Sequence, residues 1–298
     1  FINNTKIKIM GINRRNFLRT LGVTGATLAC GKGLTAEKED SSDIEFYGIL
    51  YDSTRCMACQ NCEYACSDQY ELPYSKTFPE VGLVRKTDET TRVVINSYET
   101  SEGEQYIRHA CNHCNSPACA SACLTKAMYK TPEGPVIWQE DKCMGCRSCM
   151  IACPFDVPKF EYNSPNPKIQ KCRMCYELVK EGGIPACVDS CLYDALKFGK
   201  RRDLLEEANK RIYTNPDRYV HSIYGEHEVG GTGILYLASA PFEELDLKTN
   251  LGSKAYPEHN KTFLSSVPAV LILWPAFLLG LNNSLVERKN KIAKDKMN

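Results

Sequence analysis

Sixteen of the chain's seventeen cysteines fall into four groups of four, and a quartet of thiolates is a metal-ligating set. Cys56, Cys59, Cys62 and Cys66 are spaced C-x2-C-x2-C-x3-C, and Cys143, Cys146, Cys149 and Cys153 repeat that spacing with Pro154 behind them. Cys111, Cys114, Cys119 and Cys123 run C-x2-C-x4-C-x3-C, and Cys172, Cys175, Cys187 and Cys191 run C-x2-C-x11-C-x3-C. Only Cys30 is left over. Three chemistries compete for such a pattern. Disulfides suit an exported chain, but residues three apart on a tight loop face a shared metal better than they face each other. Structural zinc calls for two cysteine pairs closing a local tetrahedron. The C-x2-C-x2-C-x3-C run is that of bacterial ferredoxins, in which the first three cysteines hold irons of one cubane and the fourth, carried on the following helix, ligates the other cluster of the pair. The spacing predicts four [4Fe–4S] clusters, with zinc and disulfides as the rival readings.

The rest of the chain must position these groups. Its 298 residues amount to about two domains. A hydrophobic content of 43% is ample for a core and excludes disorder of the whole chain. The mean hydropathy of −0.35 excludes a polytopic membrane protein. Lys and Arg (37) balance Asp and Glu (36), which argues against a nucleic-acid-binding surface.

Both ends of the chain read as addresses. Residues 1–36 carry Arg14 and Arg15 followed by Phe17 and Leu18, then an uncharged stretch from Thr20 to Gly31, the pattern of a twin-arginine (Tat) export signal. Met10 is then the natural start, with Phe1 to Ile9 upstream of it, and cleavage falls after Ala29 or Ala36. Lipidation of Cys30 is disfavoured by Thr27. A route that carries folded proteins suits thiolate ligation, because clusters are inserted in the reducing cytoplasm before the thiols meet an oxidising compartment. Residues 262–286 form 25 positions without a charge, enough to cross the roughly 30 Å hydrocarbon core with some tilt. This stretch lacks the polar face of a buried core helix, and membrane helices tolerate prolines such as Pro268 and Pro275. Residues 287–298 are basic, with Arg288, Lys289, Lys291, Lys294 and Lys296. By the positive-inside rule this tail is cytoplasmic and the body lies outside the cytoplasm.

The cysteine blocks carry a family resemblance. Residues 111–119 (CNHCNSPAC), 143–154 (CMGCRSCMIACP), 171–175 (KCRMC) and 183–191 (GIPACVDSC) resemble the four-cluster iron–sulfur subunits of respiratory oxidoreductases. Those subunits serve formate dehydrogenase, dimethyl sulfoxide reductase, polysulfide reductase and membrane-bound nickel–iron hydrogenase. The resemblance covers residues 50–199. Downstream, residues 224–232 (YGEHEVGGT) and 241–247 (PFEELDL), with the anchor behind them, are most similar to the Hyb-type nickel–iron hydrogenase subunit. The resemblance implies an α+β fold of two interleaved bacterial-ferredoxin-like domains plus one C-terminal transmembrane helix. Residues 44–105 and 160–261 would form the first domain and residues 106–159 the inserted second one. It also implies the ligand sets: Cys56, Cys59, Cys62 and Cys191 for a first cluster; Cys111, Cys114, Cys119 and Cys153 for a second; Cys143, Cys146, Cys149 and Cys123 for a third; Cys172, Cys175, Cys187 and Cys66 for a fourth. Ser67, Leu124 and Leu192 depart from the family where proline is common, which touches the local backbone and leaves the ligands intact.

No catalytic machinery accompanies these sites. No P-loop is present, and residues 230–233 (GGTG) precede the strand-like 234–237, so they read as a turn and not as a dinucleotide fingerprint. His109, His113, His221, His227 and His259 have no metal-ligand spacing, although His113, between two ligands, is placed to hydrogen-bond a cluster sulfur. Lys142, Arg147, Lys171 and Arg173 adjoin ligands and either raise a local potential or are simply solvated. The chain is thus expected to move electrons between a catalytic subunit, a nickel–iron hydrogenase in the first place and a molybdenum or tungsten enzyme such as formate dehydrogenase in the second, and an integral membrane quinone-reactive subunit. The reading of another class is a zinc-bound or disulfide-stapled structural module.

Overall fold

The structure, a computed structural model, describes residues 45–295; the export-signal reading, with Arg14, Arg15 and Cys30, lies outside the described residues. In chain order come β1 (Tyr47–Asp52), α1 (Asn61–Gln69), β2 (Val94–Thr100), β3 (Gly103–His109), α2 (Ala118–Ser121), β4 (Met128–Lys130), β5 (Val136–Trp138) and α3 (Ser148–Ala152). Then follow β6 (Lys159–Phe160), β7 (Ile169–Gln170), α4 (Tyr176–Lys180), α5 (Ala186–Asp189), β8 (Leu196–Lys200), α6 (Arg201–Thr214), β9 (Ile234–Leu237) and α7 (Tyr256–Asp295).

The central sheet has the order β8-β1-β9. β8 pairs antiparallel with β1 from Tyr47↔Lys200 to Tyr51↔Leu196, and β9 pairs parallel from Ile49↔Ile234 to Asp52↔Leu237. Ile49, Leu50 and Tyr51 are all buried, because both faces of the sheet are covered and β1 therefore reads as a continuous apolar run. On one face α6 lays Leu204 and Ala208 against Leu50, Leu235 and Leu237. On the other, Ile49, Tyr51, Ile234 and Tyr236 pack with Ile107, Met174 and Cys187. The sheet thus presents one side to a helix and the other to the cysteine loops.

Three antiparallel pairs complete the strands: β2–β3, β4–β5 and β6–β7. The short helices pack in two couples, α1 on α5 and α2 on α3. Each couple joins helices from two different cysteine groups, which is how separated stretches of sequence come to share a site.

α7 runs 40 residues, about 60 Å at 1.5 Å per residue. It starts before residue 262, passes through Pro268 and Pro275, and continues beyond residue 286 into the basic stretch. The extension has a local cause: Arg and Lys are good helix formers, and no Gly or Pro follows Val286 to stop the turn. Within it Ser265–Ala293 is long and apolar enough to cross a membrane, with mean hydropathy 1.7. Its apolar side chains lie open, Leu271 at 68% and Trp274 at 60% exposure.

Candidate metal centres

All four cysteine loops bend the same way. The residue just before the second cysteine of each group is left-handed: Ala58 (φ 51°), His113 (φ 47°), Gly145 (φ 72°) and Met174 (φ 53°). Consecutive right- and left-handed residues turn backbone N–H groups and side chains towards one concavity, the geometry that receives an anionic group. The next turn repeats as well. Gln60 (φ 62°) precedes α1, Arg147 (φ 60°) precedes α3 and Cys175 (φ 44°) precedes α4. Three residues beyond Cys123, Cys153 and Cys191 stand Lys126 (φ 55°), Asp156 (φ 52°) and Asp194 (φ 50°). The x4 and x11 spacers therefore conceal one backbone motif used four times.

The helices carry the later cysteines of each group. Cys62 and Cys66 lie on α1, Cys119 on α2, Cys149 on α3 and Cys187 on α5, while Cys123, Cys153 and Cys191 follow helix ends. The thiols then gather across groups. Burial pushes the Cys56 thiol above its usual range, and Cys59 and Cys191 push it the same way from close by. Cys56, Cys59, Cys62 and Cys191 line one cavity with Tyr51 and Ile95. Cys66 has turned from its own loop: burial raises it strongly, followed by the neighbouring Cys172, Cys187 and Cys175. Cys114 is raised by burial and by Cys111, Cys153 and Cys119. Cys149 is pushed up to about 11 by burial, Cys123 and Cys143, and these thiols line a second cavity with Cys146, Met128 and Trp138. Thiols from different groups thus lie near one another, and all sixteen are free.

Among the described residues no three His, Cys, Asp or Glu side chains converge on a single-ion site. A tetrahedral zinc would need its sulfurs about 2.3 Å from one centre. A cube of irons and sulfides asks for a wider frame.

Two buried cations stand beside the sulfurs. Arg108, on β3, is 0% exposed. Its Nη2 lies 3.9 Å from Cys187 Sγ, and its Nε and Nη1 have no protein partner. The nearby Glu63 carboxylate is already held by Arg85, at 2.6 and 3.1 Å. Lys171, 3% exposed, stands 3.6 Å from Cys111 Sγ and donates to the carbonyls of Cys172 (2.8 Å) and Val136. Removing an ion from water costs several kcal/mol unless an opposite charge answers it. Arg108 faces a sulfur, and an anionic sulfur, such as a metal-bound thiolate, would answer its charge. That is the donor chemistry of an iron–sulfur centre.

His113 is fully buried and accepts the Val136 N–H on Nδ1 at 2.9 Å, which puts its own proton on Nε2, where no protein group receives it. Burial and then Lys171 and Lys130 hold its pKa well below the usual range, so it stays a neutral donor. Of the cations that adjoin ligands, Lys171 alone touches a thiol. Arg147 sits over the Phe160 and Tyr162 rings, Arg173 pairs with Glu177, and Lys142 is exposed. Arg108 escaped the sequence reading. Its strand neighbour Ile107 is buried, and strict alternation would place Arg108 on the solvated face, but both faces of β3 are covered here.

The comparisons with known proteins meet this geometry. A family profile described as a 4Fe-4S dicluster domain matches residues 102–201. The hydrogenase-2 operon protein HybA of Escherichia coli O157:H7 is 35% identical over 282 residues, covering 79% of this chain and 84% of that one. This protein belongs to the iron–sulfur electron-transfer subunits of respiratory oxidoreductases. A subunit of the anaerobic dimethyl sulfoxide reductase of Escherichia coli (strain K12) is 38% identical over 165 residues, 51% of this chain and 73% of its own. A protein of Nitratidesulfovibrio vulgaris is 40% identical over 295 residues, 95% of this chain and 80% of that one. As an iron–sulfur subunit, the protein binds [4Fe–4S] centres through cysteines.

Proposed function

We propose that this iron–sulfur subunit carries four [4Fe–4S] clusters and relays electrons from a nickel–iron hydrogenase partner to a quinone-reactive membrane subunit. Cys56, Cys59, Cys62 and Cys191 would hold one cluster and Cys66, Cys172, Cys175 and Cys187 its partner, in residues 44–105 and 160–261. Cys111, Cys114, Cys119 and Cys153 would hold a third and Cys123, Cys143, Cys146 and Cys149 a fourth, in the inserted residues 106–159. The bound groups would supply reversible one-electron transfer; the chain spaces them and sets their charge environment. Cys146 is exposed, whereas Cys66, Cys111, Cys172 and Cys187 are buried, so the Cys143 group is one end of the path. The hydrogenase assignment rests on coverage: the match to HybA spans 79% of the chain, that to the reductase subunit 51%. The anchor reading rests on Ser265–Ala293, and export by the twin-arginine route to the outer side of the membrane completes it.

The observation that carries the reading is Arg108, a guanidinium without a carboxylate, sealed in among thiol sulfurs. Anaerobically purified protein is expected to be brown, with about sixteen irons and about sixteen sulfides per chain. Colourless protein with bound zinc, or with oxidised cysteine pairs, would overturn the proposal.

A further inference from the structure

Half-buried arginines elsewhere in this fold spend most of their donors on the protein. Arg85 gives its two terminal nitrogens to Glu63 and to the Ile95 carbonyl. Arg201 gives three bonds to the carbonyls of Thr232 (2.7 Å), Gly225 (3.1 Å) and Glu226 (3.0 Å). Arg108 does neither. It is buried, it cannot lose its proton, and among the described residues the only protein atom it bonds through its side chain is the Cys187 sulfur. Its Nε–H and Nη1–H remain unclaimed by any protein group. Arg108 leaves two of its three nitrogens unclaimed, where the scaffold-bound Arg85 and Arg92 leave one each.

Its position is also specific. Cys187, Cys172 and Cys62 are the thiols whose charge acts on it, so it stands where the Cys66–Cys172–Cys175–Cys187 quartet adjoins the quartet containing Cys62. Burial excludes the water that would screen it. The Cys123–Cys143–Cys146–Cys149 quartet lies elsewhere, with no such cation among the groups acting on Cys149.

We propose that Arg108 is a positioning residue that sets the reduction potential of the centre held by Cys66, Cys172, Cys175 and Cys187, and secondarily of the centre held by Cys56, Cys59, Cys62 and Cys191. This rests on the cluster reading above. One electron taken up there from the neighbouring centre would add one negative charge to the group that Arg108 faces, and no proton need move. A fixed positive charge stabilises the reduced form over the oxidised one and so raises the potential. The unclaimed N–H donors act in the same direction, since hydrogen bonds to cluster sulfur are one of the levers on potential.

The test is a potentiometric titration followed by paramagnetic resonance on the full chain, with iron and sulfide counted on the same samples. In Arg108→Gln, the reduction equilibrium of one centre should fall at least tenfold, about 59 mV for one electron. The Cys143 group is the internal control and should not move. Arg108→Lys retains the charge and should stay within about threefold of the parent, a span of roughly 30 mV by the same constant. Unchanged potentials in an iron-loaded Arg108→Gln protein would overturn the inference, as would an equal fall in both variants. If Arg108→Gln does not load iron, Arg108→Lys decides alone, because a tenfold fall there means that packing and not charge is at work. An unaltered chain that binds no iron would instead overturn the cluster reading.

Discussion

A single thiol distinguishes crossed from local ligation. Cys66 sits one turn after Cys62 on α1, yet the thiols that raise it are Cys172, Cys187 and Cys175, over a hundred residues away in sequence. Replacing Cys66 with Ala should therefore alter the paramagnetic signal of the Cys172 group and spare the Cys56 group. Cys56→Ala should do the reverse. Identical spectral losses in the two variants would contradict the arrangement. At this scale the sequence was readable wherever the chemistry is written in spacing, so all sixteen cysteines stood out. Arg108 did not, because its meaning depends on what covers β3. Lys171 was singled out as an adjoining charge, and burial distinguishes it from Arg147 and Arg173.

Among the elements, the recurrent left-handed turn was hidden by unequal spacers, and only backbone angles reveal it. It has an energetic consequence. A side-chain-bearing residue in the left-handed region costs about 1–2 kcal/mol, which Gly145 avoids and Ala58, at the equivalent place, bears. Ala58→Gly should raise the temperature at which visible absorbance is lost, provided the loop order already fixed by the cysteines limits the entropy lost by glycine. The central sheet offers the opposite case. A Cβ on Gly48 would stand 2.4 Å from the Gly233 carbonyl oxygen, a backbone atom that cannot swing aside. Gly48→Ala should destabilise by about 1–3 kcal/mol through forced separation of the β1–β9 edge. The readout is earlier loss of absorbance on heating, with the same iron content at low temperature. Strand β9 was legible as residues 234–237 because its apolar run follows a glycine turn. The ends of α7 were not, since hydropathy marks the apolar stretch while helix propensity continues through the lysines.

At the scale of the molecule, two functions are separable: a body that frames the thiol quartets and a helix that bears no thiol at all. Thirteen Leu, Ile, Phe and Val residues lie in 263–286, and at roughly −0.3 to −0.6 kcal/mol each they favour insertion by about 4–8 kcal/mol. Asn282 and Asn283 reduce that figure and precede the basic residues. Among the described residues none of the core clusters draws on the helix, which meets the thiol-bearing body at α2. Ending the chain after Lys261 should leave iron content, the paramagnetic spectrum and electron exchange with an artificial dye unchanged. Quinone reduction in membranes should fall sharply, because tethering to the same bilayer supplies the effective concentration that docking otherwise lacks. A truncated chain that still sediments with membranes and reduces quinone at the full rate would mean that the body alone makes the membrane contact. In that case the exposed Leu124, Met144 and Ile151, which adjoin the Cys143 quartet in sequence, become the surface on which to look for it.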